Sequence, residues 1–527
     1  MNKFNLIVEP WIPCLMSDDT IKELSLLETL TRAHEIKEIT DDSPLVVVSL
    51  YRLLLAILHR IFGPKNFEEW KNLWREGFWD EEKLKAYFES EHCRNRFNLF
   101  DAERPFYQYP KVTKKGGADS DRLPIETLMQ EKATGANATL FDHSFKGRET
   151  NCPPSVAARY LIARQSFSLA GGVSYPFNLS NGLLVKGFSV LAIGENLFQT
   201  LALNLIKYPS ERLMPFEEDD DGVSLDKPFW ERETLQEAAE RDKEGTVPRG
   251  YLDYLTWQSR RIKVLLDEES QTVKSCQLQQ NFKLKENLNL FDPFKVYVEG
   301  EKGLYALDFN PNKSLWRNSH TIFRQNALPG EIANLSKHLT NISAAISNGE
   351  IEGRRRYALS IFGIVNDQAS VEMWARETLP IPLDYFDDDA LTGLLERAIQ
   401  FAEEKGGIAG TLRAGIKELA KSLETSAANF PAMPIYWSSL ELEFQRLLLD
   451  LPDEKDAAMK EWFGFVLRTA DDAFRQTANG LSGTAKEQRA IVEAEAEFRK
   501  QKNILLSKHK TDWGKYLPET KAKGGNQ

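Results

Sequence analysis

Cysteine is scarce: the 527-residue chain has four, Cys14, Cys93, Cys152 and Cys276, far apart and with no C-x-x-C pair. That excludes the disulfide framework of small secreted domains and removes a common zinc-binding spacing. Histidine is nearly as rare, with seven scattered residues and no H-E-x-x-H. His92 and Cys93 are adjacent, so their side chains diverge, and neither has a partner at ligand spacing. No metal and no cofactor is expected. Long apolar runs are absent as well; none reaches the roughly 18 residues of a spanning helix. The opening MNKFNLIVEPWIP is broken by Glu9 and Pro10, too early for a signal peptide. These absences point to the cytoplasm and to no membrane partner.

Catalytic motifs are missing too. No G-x-x-x-x-G-K-[ST] occurs, and Gly406-Gly407-Ile408-Ala409-Gly410 lacks the following lysine, so it reads as a helix-breaking turn. There is no G-x-S-x-G elbow. His143 beside Asp142 is a candidate acid–base pair in a loop, and it is all that a nuclease or hydrolase reading has to stand on. The chain is not expected to be an enzyme.

What is present is a large globular chain. Apolar residues make up 42%, and 11 Trp with 30 Phe supply bulky core side chains. Its length exceeds what one hydrophobic core supports, so more than one domain is expected. The net charge of -11 argues against a free-standing, non-specific nucleic-acid coat, though an acidic protein can still carry a local basic patch.

Periodicity predicts a strand over Phe4–Val8, a turn at 9–13, and a helix over Ser43–Phe62 on Leu45, Val48, Tyr51, Leu54, Leu55 and Leu58. Residues 97–150 read as an irregular connector, with 111–122 mobile and a second loop at 132–143. A helix over Pro154–Phe167 leads to a glycine-containing turn region (169–181), a short strand over Leu183–Gly187 and a helix over Asn196–Ile206. VYVEG (296–300) and LYALDF (304–309) read as paired strands. From Asp387 onward the pattern is helical. Four apolar faces follow one another, carried by Leu391–Ala402, Leu412–Leu423, Tyr436–Leu448 and Met459–Phe474, and a charged helix follows from Ala485 to Lys502. The fold class expected is α+β: a mixed α/β domain over 1–385, an all-α four-helix bundle over 386–511, and a disordered tail over 512–527.

Several stretches are more distinctive than their composition, and their order matters. VEPWIP (8–13), FNLFDAERPFYQ (97–108), ARQSFSLAGG (163–172), GENLFQTLALNL (194–205), DKPFWE (226–231), YLTWQSRRIKV (254–264) and NDQAS (366–370) occur in sequence ahead of the helical region. In that order they resemble the CasA family, the large subunit of the type I-E CRISPR surveillance complex called Cascade. The resemblance implies a subunit without chemistry of its own. Such a subunit reads a protospacer-adjacent motif (PAM) in double-stranded target DNA, helps open it for guide CRISPR RNA pairing and presents the complex to a helicase-nuclease. The implied partners are the other Cascade subunits, the guide RNA, the target duplex and that nuclease.

The resemblance also implies roles for residues. Gly171 and Gly172 match a glycine loop whose bare backbone can lie against a narrow minor groove; a plain tight turn is the alternative. A minor-groove lysine falls at Lys283 or Lys285, which alternation places on one strand face, so sequence does not choose between them. Gln368 matches a wedge inserted where the duplex first opens. Asp367, where the family often has Asn, accepts hydrogen bonds only; it could take a guanine amine or pair with a lysine. Leu140, Phe141 and Asp142 stand for the tip of a loop near the guide RNA or the PAM. Arg354, Arg355 and Arg356 form the densest basic run, read as a helical strip facing either phosphates or acidic neighbours. The competing reading is a structural scaffold without DNA selectivity.

Overall fold

Ser43 starts the longest apolar helix: its hydroxyl accepts from the Val46 amide, and Pro44, which has no N–H to satisfy, occupies the first turn of the helix Pro44–Phe62. In the computed structural model, which describes residues 4–131, 151–171, 175–207, 225–235, 244–285, 291–301, 303–310, 313–323, 334–367, 370–481 and 483–518, most of this helix is buried. Among the described residues it alone is long and apolar enough to cross a membrane. Its apolar residues instead form the centre of a protein core. Arg52 on the same helix donates to buried Asp292 at 2.9 Å, and the Tyr254 hydroxyl donates to the same oxygen at 3.1 Å. Burial alone would raise the Asp292 carboxyl, but the Arg52 guanidinium holds it below the usual carboxylate range.

Around this helix the strands, in chain order, are β1 (Ile12–Met16), β2 (Ile21–Leu24), β3 (Ile36–Ile39), β4 (Leu123–Pro124), β5 (Ser189–Ile193), β6 (Arg260–Asp267), β7 (Thr272–Gln280), β8 (Tyr297–Gly300), β9 (Gly303–Ala306), β10 (Arg356–Asp367) and β11 (Ser370–Pro382). They form three three-stranded sheets, ordered β2-β1-β3, β11-β10-β5 and β4-β7-β6, and the ribbon β8-β9. The mixed α+β class expected from sequence is the one observed, with helices closing the chain.

Three local expectations need correcting. Phe4–Val8 is not a strand but a turn with one bridge, Asn5 to Asn98, because the Asn5 side chain takes the Ile7 amide at 3.1 Å; the strand begins at Ile12, where a turn was expected. Leu183–Gly187 is not a strand either: the Leu183 and Lys186 carbonyls accept from the Lys295 ammonium at 2.6 and 2.7 Å. The segment 111–122, expected to be mobile, folds back on itself, with Lys114 N donating to Ala118 O at 2.7 Å and Ser120 N to Val112 O at 2.8 Å.

The chain divides into two compact units, one of 1–313 with 325–378 and one of 314–324 with 379–527. The second contains the helices Asp389–Ala402, Ile408–Ser422, Ala432–Asp450, Lys455–Asn479 and Ala485–Lys508. Asp388 caps the first through the Ala390 and Leu391 amides. The charged helix joins the four apolar ones by burying Ala490, Ala494 and Phe498. A segment from far upstream belongs here too: Trp316 packs on Phe444 with ring centroids 4.4 Å apart, and Arg317 forks onto Glu403 at 2.8 and 2.5 Å. Of the expected disordered tail, residues as far as 518 are described, and Trp513 and Tyr516 are buried against Phe463. Two aromatics hold that stretch in place.

His59 and His338 are buried in the first unit, His338 edge-on to Trp70 at 4.9 Å. Burial pushes His338 down to about 4 and, with His338 nearby, His59 to about 3. Below an unfolded value of about 6.5 the unfolded chain takes up protons that the folded chain refuses, so stability falls as pH drops from 6.5 towards 4. Thermal melts at pH 7, 5.5 and 4.5 should show this loss. In His338→Gln the loss across the same window should be shallower, by on the order of 3 kcal/mol at its acid end.

Candidate nucleic-acid interface

The glycine loop grows out of the helix Pro154–Phe167. Near the end of that helix the Gln165 side chain takes the Arg260 amide and donates to the Arg260 carbonyl, both at 2.9 Å, which fixes β6 beside the helix. The Arg260 guanidinium is buried. It donates to three backbone carbonyls: Ser259 at 2.7 Å, and Leu169 and Ser180, each at 2.9 Å. Leu169 and Ser180 lie on either side of Gly171, so one side chain clasps both arms of the loop. Burial first, and then the neighbouring Arg164, push Arg260 down to about 9. The Ala170 amide donates to Asn181 Oδ1 at 2.7 Å, adding a second cross-link. Gly182 closes the root: a Cβ there would lie 2.7 Å from the Ser166 carbonyl carbon and 2.9 Å from the Ser168 amide nitrogen, both backbone atoms.

This loop meets the lysine segment. Asn178 Nδ2 donates to the Asn281 carbonyl at 3.4 Å and the Ser180 hydroxyl to the Phe282 carbonyl at 3.3 Å. Leu284 packs on the Trp257–Phe282 cluster, which leaves Lys283 and Lys285 on the opposite face by strand alternation. The segment is held by Thr246, whose amide donates to Lys283 O at 2.7 Å and whose carbonyl accepts from Lys285 N at 3.1 Å. Lys285 is exposed and Lys283 half-buried. Lys115, in the folded-back segment, sits with its ammonium 5.7 Å from the Phe177 ring of the loop.

The β10–β11 pair brings a third element. β10 pairs antiparallel with β5 from Ala358↔Ile193 to Phe362↔Ser189 and then runs on to Asp367. It therefore overshoots β5 at the end where the chain enters from the glycine loop, by on the order of 15 Å. Gly363 permits this, since a Cβ there would lie 2.6 Å from the Phe309 ring. Asp367 ends the strand. Gln368, Gly172, Leu140, Phe141, Asp142 and His143 lie outside the described residues.

Arg354, Arg355 and Arg356 do not join this group. They are not helical: Arg354 and Arg355 precede β10 and Arg356 opens it, at the far end of the strand from Asp367 and on the order of 35 Å away. Arg354 pairs with Glu195, and Arg355 donates to the Ser347 hydroxyl.

A model of the family described as CRISPR-associated protein Cse1 matches residues 5–473. The chain belongs to the Cse1 family. This Cse1 chain is 28% identical, over 527 residues, to the CRISPR-associated protein CasA/Cse1 of Thermus thermophilus, covering 94% of itself and 97% of that relative. Its fold matches a crystal structure of Thermus thermophilus CasA with a TM-score of 0.79 at 27% identity, over 96% of this chain and 100% of that one. It also shares its fold with a chain of a CRISPR RNA-guided surveillance complex, at a TM-score of 0.72 and 17% identity, over 95% and 100% of the two chains. The ordered motifs had pointed to this family.

Arg260, Arg164, Lys295 and Lys115 were missed in the Cse1 sequence. The signal for Arg260 was present, in the doubled arginine of YLTWQSRRIKV opening a strand that carries Ile262, Val264, Leu265 and Leu266. Gly182→Ala is expected to loosen the loop root, because the backbone atoms it meets have no room to shift. It should lower the melting transition by about 1–3 kcal/mol and speed hydrogen exchange at the Ala170 and Gly182 amides. Unchanged exchange would contradict the clasp.

Proposed function

We propose that this chain is the large subunit of a type I-E CRISPR surveillance complex, reading the PAM of target DNA without catalysing a reaction. The observation that carries this reading is the meeting of the glycine loop with the Lys283–Lys285 segment in a chain of the Cse1 family. A bare backbone at Gly171 and Gly172, beside an exposed cation at Lys285, suits the narrow minor groove with its acceptor-rich floor. Lys285 is favoured over Lys283 because it is the more exposed. Gln368, in the two-residue connection between β10 and β11, acts as the wedge, and Asp367 before it biases the PAM preference. Leu140, Phe141 and Asp142 approach the guide RNA or the PAM. The Arg354–Arg356 run serves elsewhere, since it stands at the other end of β10. The partners are other Cascade subunits, the guide RNA, duplex DNA and the helicase-nuclease, and the setting is the cytoplasm.

The test is duplex binding by a guide-loaded complex with and without this chain, on targets that differ only in the PAM. A fluorescent base reports strand opening. PAM-dependent binding is expected only with the chain present. Gln368→Ala is expected to slow opening roughly tenfold, about 1.4 kcal/mol of barrier, while initial binding changes little. Binding that ignores both the PAM and the chain would leave a scaffold role instead.

A further inference from the structure

Arg164 stands in the last turn of the helix Pro154–Phe167, at the root of the glycine loop. Its Nε is shielded from solvent and has no hydrogen-bond partner, and no carboxylate among the described residues pairs with it. The residue as a whole is half-buried, and of its three guanidinium nitrogens only Nε is both sealed from solvent and unpartnered. Gln165, the next residue, is bonded to the Arg260 backbone, and the Arg164 charge acts on the Arg260 guanidinium. Arg260 spends its own donors on neutral carbonyls. Among the described residues the Cys276 thiol also lies beside Arg164; burial pushes it up to about 12, so it carries no charge, and Glu126 lies near that thiol. Burial also pushes the Arg164 guanidinium down to about 10.

Two adjacent cations with no anion between them are costly in a partly desolvated place. Such an arrangement is relieved when an anion arrives from outside, and a guanidinium suits a phosphate in particular. We propose that Arg164, backed by the fixed charge of Arg260, forms a site at the root of the glycine loop for one backbone phosphate of the target duplex. The site rests on the reading of this loop as the DNA-facing element. Arg164 supplies the donors, and Arg260 supplies positive field while holding the loop. The contact is blind to sequence, so it sets affinity and register rather than PAM choice.

The experiment uses the guide-loaded complex carrying this chain as wild type, Arg164→Gln or Arg164→Lys. Duplex affinity is measured across a salt series on PAM and PAM-less targets. Arg164→Gln should weaken both targets by the same factor, roughly tenfold, and reduce the steepness of the salt dependence by about 0.9. Arg164→Lys should restore the steepness. The melting temperature of the full chain with Arg164→Gln should hold or rise, because a partly desolvated charge beside a second cation has been removed. An unchanged salt dependence overturns the site, and so does a defect confined to assembly with guide RNA before DNA is added. The PAM discrimination of the wild type, read in the same series, reports separately on the parent reading. Its absence would sink that reading, while the salt dependence still decides Arg164.

Discussion

The Arg260 guanidinium organises the candidate interface. A loop that approaches a groove by its backbone cannot also spend that backbone on a sheet ladder, so its carbonyls need other donors. Arg260 serves Leu169 and Ser180 from inside the protein, and Lys295 does the same for Leu183 and Lys186. Two buried cations thus serve carbonyls that, among the described residues of this stretch, no strand ladder pairs. The arrangement carries a penalty: burial pushes Arg260 down to about 9 and Lys295 down to about 8. Asp292 offsets part of it for Lys295, and its place is set by Arg52 on the central helix.

Much of the fold was legible because it follows local periodicity. The helix Pro154–Phe167 was readable to its ends, since a proline pair opens it and the pattern breaks after Phe167. The helices from Asp389 onward follow their apolar faces, and Asp388 marks the first. What failed was decided by distant partners. Leu183–Gly187 has strand composition, but a lysine over a hundred residues downstream takes its carbonyls. Trp316 and Phe323 read as part of the first unit, yet their rings pack with Phe444 and Tyr385 of the second. No pattern of one side chain in three or four could show that.

The candidate site was legible as a set of positions and not as an arrangement. The glycine loop and the lysines are about a hundred residues apart in sequence. They are joined through the carbonyls of Asn281 and Phe282, which leave no side-chain signature. The three arginines looked like part of the same surface because they precede NDQAS closely in sequence. An extended strand turns that closeness into distance, as β10 runs from Arg356 to Asp367. The residue most telling for the further site, Arg164, was hidden in plain view within ARQSFSLAGG, because only the structure shows its Nε shielded without a hydrogen-bond partner.

The central claim is that a fork of donors on Arg260 holds both arms of the glycine loop in the shape that the proposed PAM reading requires. Arg260→Lys keeps the charge but cannot span three carbonyls with the geometry of a guanidinium. The measurement is the ratio of affinities for PAM and PAM-less duplexes in the guide-loaded complex, with circular dichroism confirming that the variant chain is folded. The account predicts that the ratio falls towards one while PAM-less binding is kept. A ratio equal to wild type in a folded Arg260→Lys chain would contradict it.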